Sequence, residues 1–344
     1  MKAVRIHEYN KPLSLDEVPK PKISGPYDII VRIKGAGVCR TDLHIIEGVW
    51  KDVINPKLPF TIGHENVGVI EEKGNAVDWL DIGDQVILHP YITCRHCRAC
   101  RSGNDMHCPY GKFPGLDGTD GGYAEYLKTS AFSAIKIPKG VDIIPMAPLA
   151  DAGITAYHAV KKIAPYLYPG SIVAVIGVGG LGHIGIQALK AITPARVIAI
   201  DINEEKIKLA KELGADEVII AGKDGGISDI LKLTDNVGVD AVIDFVGEHS
   251  TPQSALRMIR KGGIYSIVGY GGEFRNTTLD FINREIMVVG NLVGTYNELS
   301  ELVTLYVQNK VKLKVKTFPL EEANKALEEL NSGRILGRAV LVPG

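Results

Sequence analysis

Gly177-Val178-Gly179-Gly180-Leu181-Gly182 is the feature that most restricts how this chain folds, because it stands where the apolar run Ile172–Ile176 meets a helix-like stretch. Glycine is common, so a lone GxGxxG also fits an ordinary strand–helix turn. Between a strand and a helix, however, each glycine has a task. Gly177 permits a tight turn, Gly179 lets the backbone approach a pyrophosphate, and Gly182 lets helix and sheet pack closely. Gly180 and Leu181 complete a loop whose helix N-terminus meets phosphate charge. Around it, from about 152 to 292, apolar runs alternate with amphipathic stretches: SIVAVI, RVIAIDI, AVIDFV and GGIYSIV, then a further run at 286–289. That alternation predicts a parallel sheet covered by helices on both faces.

Asp201 ends the second of these runs, where an acid is expected to hold the adenosine ribose hydroxyls. A carboxylate there repels a 2′-phosphate, and the following Ile202-Asn203 brings no arginine to compensate. NAD is therefore expected over NADP. The plainer alternative is that Asp201 caps a helix over 203–213.

The chain has 344 residues, 45% hydrophobic and 23% charged, which suits a soluble two-domain protein. A net charge of −1 argues against nucleic acid as a partner. The opening MKAVRIHEYN holds no apolar core for a signal peptide, so a cytoplasmic location is expected. Residues 163–189 contain no Asp, Glu, Lys or Arg, but Pro165, Pro169 and Gly170 and the glycine loop break the stretch too often for a membrane helix.

Four of the five cysteines, Cys94, Cys97, Cys100 and Cys108, fall within fifteen positions as C-x₂-C-x₂-C-x₇-C. The spacing is too tight for a disulfide framework and suits metal. Four thiolates close a tetrahedral shell around zinc, leaving no position for a substrate, so the site is expected to be structural. The neighbouring Arg95, His96, Arg98, Arg101 and His107 read as a solvated rim. Cys39, in GVCRTDLH, and His64, in GHENVGVI, would in isolation be a small core residue and a satisfied imidazole. Residues 1–150 are strand-rich, with runs at 29–33, 67–71, 84–88 and 123–127. Helices are expected over 297–308 and 320–331, and a last strand over 339–342.

GVCRTDLH, GHENVGVI, the four-cysteine lobe, APLADAGITAY and GVGGLG stand in the order and spacing of the zinc-containing medium-chain alcohol dehydrogenases, and the chain resembles that family along essentially its whole length. The resemblance implies a GroES-like β catalytic domain (1–152, with the zinc lobe at about 94–108, and again 293–344) interrupted by a Rossmann NAD-binding domain (153–292), with the active site in the cleft between them. It implies two zinc ions per chain. Cys39 and His64 become ligands of a catalytic zinc. The third ligand falls at Asp151, where many members have cysteine, as in an aspartate variant among microbial members. Thiolate, carboxylate and neutral imidazole carry the same formal charge as two thiolates and an imidazole, with a harder oxygen ligand. If Asp151 instead only caps the helix near Gly153, Glu65 is the fallback; in relatives it stands behind the ligands or binds transiently.

The resemblance also implies the chemistry. Zinc acidifies the alcohol, hydride passes to the nicotinamide, and Thr41 and His44 relay the proton by way of the cofactor ribose. Arg40 and Arg338 are candidates for the pyrophosphate, Thr155 and Val268 for the nicotinamide, and Lys206 for the adenosine ribose. Trp50, Phe113, Leu116 and Leu292 are candidate pocket residues for primary or secondary alcohols and the matching aldehydes or ketones, or equally core. A polyol or threonine dehydrogenase would share every zinc and cofactor feature. A zinc-free quinone reductase would need neither cysteine set, and a non-enzymatic zinc module would not need the relay. Relatives imply a homodimer or homotetramer, with the run at 286–292 free to pair at a sheet edge.

Overall fold

The computed structural model describes all 344 residues and divides them into two compact units. The first comprises residues 1–154, 294–307 and 313–344, and the second 155–293 and 308–312. No helix is long and apolar enough to cross a membrane.

In the second unit six strands lie parallel in the order Glu217–Ile220, Arg196–Asp201, Ile172–Ile176, Val239–Asp244, Ile259–Ile267, Met287–Gly290. Numbered along the chain this is 3-2-1-4-5-6, the doubly wound dinucleotide-binding order. Ala174, Ile198, Val242 and Tyr265 are fully buried, as continuous apolar runs in a two-sided sheet must be. The crossovers are helices Gly182–Ile192, Glu204–Glu212, Ile227–Leu233, Thr251–Met258 and Thr278–Arg284. Strand Glu217–Ile220 has no counterpart among the sequence-predicted runs, being only four residues long.

The first unit is built on a seven-stranded, mainly antiparallel sheet. Its centre is the long strand Asp28–Val38, flanked by Glu65–Lys73 and by the C-terminal Arg338–Val342. A small sheet of Ser14–Glu17, Lys2–Ile6 and Phe60–Thr61 accompanies it. Ile29, Ile33, Phe60, Ile62 and Ile70 form its core. The strand expected over 123–127 is shifted to Tyr126–Ser130. Tyr123 and Ala124 spend their backbone bonds elsewhere, on Ile62, Val4 and Ala3.

Candidate active site and zinc lobe

Two neighbouring strand ends deliver the ligand candidates. Cys39 directly follows Asp28–Val38 and starts helix Arg40–Ile46; His64 directly precedes Glu65–Lys73, in which Glu65 pairs with Gly37. Gly37 is required, because a methyl group there would collide with the Glu65 carboxylate. Asp151 arrives between the 3-10 helix Ile144–Ala150 and helix Ala152–Ile163. One donor atom from each of Cys39, His64, Glu65 and Asp151 lies within 4.8 Å of the others, and all four residues are buried.

Asp151 Oδ2 stands 3.3 Å from His64 Nε2 and 4.0 Å from Cys39 Sγ. Its Oδ1 is buried with no hydrogen-bond partner, and so is His64 Nε2. The first helical N–H, Ala152 N, donates to Glu65 Oε1 at 3.0 Å, and with Oδ1 unbonded and Oδ2 beside Cys39 and His64 the Asp151 side chain caps nothing. Buried acceptors left unpaired cost free energy unless something binds them. Burial disfavours an imidazolium at His64, but Asp42, Asp151 and Cys39 outweigh it and raise its pKa well above the ordinary value. Buried S, N and O donors grouped this closely suit zinc.

Glu65 Oε2 pairs with Arg338, which is only 3% exposed. Burial works against the guanidinium charge, but Glu65 and Cys39 hold it protonated. Arg338, a candidate for the pyrophosphate, lies here beside the carboxylate behind the ligands, brought there because Arg338–Val342 pairs with Asp28–Val38. Sequence reasoning missed Asp42. It is fully buried, its Oδ2 accepts from Cys39 N at 2.8 Å, and its Oδ1 lies 3.4 Å from His64 Nδ1. A signal was present: an acid three residues after the residue that precedes a helix reaches back to that residue's N–H, as in a capping box. Carboxylates behind metal-binding histidines set their tautomer.

Thr41 and His44 lie three apart on helix Arg40–Ile46 and so share a face; Arg40 is exposed at its start. Phe113 is buried with its ring 5.7 Å from that of His64, edge-on. Tyr91, which sequence reasoning passed over, packs edge-on against Phe113 at 4.6 Å, and burial followed by the charge of Asp151 pushes its hydroxyl up to about 12. Trp50 and Leu116 pack against the core of this unit. Leu292 is 55% exposed on the other unit, so it is not core.

In the zinc lobe the thiols stand 3.5 Å (Cys97–Cys100), 3.9 Å (Cys97–Cys108) and 4.0 Å (Cys94–Cys100) apart, and none is in a disulfide. Four sulfurs at zinc bonding distance stand about 3.8 Å apart, so the cluster fits that ion. Backbone N–H groups of Cys97 and His96 overcome burial to hold Cys94 at about 6, whereas burial and the adjoining Cys97 push Cys100 up to about 12. Thiolates so close together repel, and a divalent cation is what lets all four ionise. Arg95 is exposed, as a solvated rim requires, but it is also engaged. Its guanidinium lies 3.4 Å from the centre of the Phe132 ring, within an aromatic group that includes Tyr27 and Trp79.

In the second unit Gly177 has φ +87°, a conformation that L side chains resist, and a methyl on Gly182 would collide with Gly177 O. A methyl on Gly179 would meet nothing within 4 Å: that glycine faces open space. Asp201 Oδ2 accepts from Val178 N at 2.7 Å, tying the acid to the loop. The following helix is capped by the side chain of Asn203, not by Asp201. Val268 follows strand Ile259–Ile267 at its C-terminal end, and Lys206 and Thr155 are half-buried.

Residues 25–139 match the alcohol dehydrogenase GroES-like domain, and residues 180–308 the zinc-binding dehydrogenase family. An alcohol dehydrogenase of Geobacillus stearothermophilus is 39% identical, over 99% of both chains. An NAD-dependent alcohol dehydrogenase of Saccharolobus solfataricus is 36% identical over the full length of both. The crystal structure of the alcohol dehydrogenase from the archaeon Aeropyrum pernix superimposes with a TM-score of 0.96 at 53% identity, covering all of both chains. The chain belongs to the zinc-containing alcohol dehydrogenases. In this dehydrogenase the aspartate between the two helical segments, and not a cysteine, adjoins Cys39 and His64.

Proposed function

We propose that Cys39, His64 and Asp151 hold the catalytic zinc of this dehydrogenase, with Glu65 as the adjoining carboxylate, and that Cys94, Cys97, Cys100 and Cys108 hold the structural zinc. The enzyme is an NAD-dependent alcohol dehydrogenase, exchanging a hydride between an alcohol and the nicotinamide to give an aldehyde or ketone. The carrying observation is the Asp151 carboxylate, turned to Cys39 and His64 while Glu65 accepts the first helical N–H. When bound, zinc acts as a Lewis acid that makes the alcohol hydroxyl more acidic. Thr41 Oγ1 accepts the released proton and hands it toward the His44 ring, a hydroxyl being able to accept and donate at once. Asp42 keeps the His64 proton on Nδ1, leaving the Nε2 lone pair for the metal. Phe113 and Tyr91 supply an aromatic wall near the ligands, which suits alcohols with hydrocarbon groups.

NAD is taken to bind along Gly177, Gly179, Gly180, Leu181 and Gly182, with Asp201 and Lys206 at the adenosine ribose, Thr155 and Val268 at the nicotinamide, and Arg40 at the pyrophosphate. Five free cysteines, four at chelating distance, suit a reducing, cytoplasmic compartment. A second copy of the chain is the expected partner, at the sheet edge formed by Met287–Gly290, whose Met287 and Val288 are partly exposed.

Replacing Asp151 tests the ligand set. Asp151→Ala should nearly abolish alcohol oxidation and deplete one zinc while NAD still binds; Asp151→Cys should retain zinc and appreciable turnover. A mere helix cap predicts the reverse ranking, Asn above Cys, and a loss of only about 1 kcal/mol of stability. A zinc-replete, active Asn variant beside a metal-depleted Cys variant would remove Asp151 from the ligands and promote Glu65.

A further inference from the structure

Tyr123 is not a ligand, yet its hydroxyl ends in the carboxylate that braces one. The side chain is fully buried, one of the largest in the molecule to be so. Phenylalanine would fill the same volume without burying a hydroxyl, which costs free energy unless the group is bonded. The Tyr123 hydroxyl donates to Asp42 Oδ2 at 2.7 Å, with Gly37 O a more distant 3.3 Å away. Asp42 Oδ2 also accepts from Cys39 N, while Asp42 Oδ1 and His64 Nδ1, 3.4 Å apart, have no other partner.

The ring is held relative to the histidine it serves. Tyr123 N donates to Ile62 O at 3.0 Å and Gly122 N to Gly63 O at 2.7 Å, so residues 122–123 run beside the segment that delivers His64. Gly63, at φ +98°, lets the ring approach its α-carbon closely, since any side chain there would overlap the ring. Two donors, Cys39 N and the phenol, therefore pin one oxygen of Asp42 and leave the other for the imidazole. With the phenol gone, the carboxylate has a single donor on that oxygen and is free to turn, which loosens the orientation of the Nε2 lone pair.

We propose that Tyr123 is a positioning residue, setting the affinity and ligand field of the catalytic metal through Asp42. This rests on Cys39 and His64 being ligands. The test uses the full-length enzyme with cobalt exchanged for catalytic zinc, comparing wild type, Tyr123→Phe, Asp42→Asn and the double variant, with Cys39→Ser as the reference for the thiolate-to-cobalt absorption band. Tyr123→Phe should shift the cobalt d–d bands and release catalytic-site metal to a chelator roughly 3- to 10-fold more readily, less than the loss of a partner bonded directly to a ligand, because Tyr123 stands one bond further out. Metal release from the four-cysteine lobe should not change, which shows that the fold is intact. In the Asp42→Asn background the phenol should no longer matter, because both changes act on one chain of bonds. A Tyr123→Phe enzyme with wild-type cobalt bands and chelator competition overturns the proposal, as does an undiminished effect in the Asp42→Asn background. If wild type itself lacks a Cys39-dependent cobalt band, the ligand assignment fails and the proposal falls with it.

Discussion

At the scale of single residues, the acids of this protein do more than one thing each. Asp201 illustrates the consequence for cofactor choice. Its Oδ2 holds Val178 N in the glycine loop and its Oδ1 accepts from Asn203 N, which sets its charge beside the loop proposed to bind NAD. Asp201→Ala should therefore weaken NAD binding and relax discrimination against NADP, since the 2′-phosphate loses a repulsive neighbour. Asp201→Asn should relax discrimination with a smaller loss of NAD affinity, because an amide oxygen still accepts from the loop. Titration of each variant with both cofactors measures this; an unchanged NAD-to-NADP preference in both variants would dissociate Asp201 from the ribose.

Among the elements, the zinc lobe has little core of its own. Its helix Arg98–Arg101 spans four residues and has no buried side chain, and its anchors are Met106, the Arg95–Phe132 contact and a bond from Tyr296 N to Asp105. Metal binding is then folding free energy for this segment. Cys97→Ser should cost one zinc per chain and lower the melting temperature by several degrees, while turnover well below the melt stays close to wild type. Metal analysis, calorimetry and assays below the transition check this. Wild-type enzyme with a single zinc, lost on replacing Cys39, would contradict the structural role.

For the molecule as a whole, the open end of the six-stranded parallel sheet is the point to test. Met287–Gly290 is its last strand, and Met287 and Val288 are each more than a third exposed; Leu279 and Ile282 of the preceding helix are 65% and 71% exposed. Apolar edge strands recruit partners. Val288→Lys should weaken association, seen as a smaller mass in light scattering coupled to gel filtration, with NAD binding preserved. A wild type that is monomeric at micromolar concentration would refute the edge pairing.

The chain's local chemistry carried much of this. Glycine spacing after an apolar run and four closely strung cysteines are short-range patterns, and each satisfies its own stereochemistry almost regardless of context. Strand Lys2–Ile6 carries a weaker signal, because Ala3 and Val4 of KAVRI are adjacent, apolar and both buried, which breaks the alternation. Only the tertiary structure decided what the buried acids do. Asp42, Glu65, Asp151 and Arg338 come from four separate stretches of chain, and their partners are chosen by strand register: Gly37 opposite Glu65, and Ala339 opposite Val38. The same holds for Tyr123, whose hydroxyl reaches Asp42 across 81 residues of sequence. A side chain's charge is written in the sequence, but in a low-dielectric interior its role depends on which opposite charge or donor the fold sets within hydrogen-bond reach.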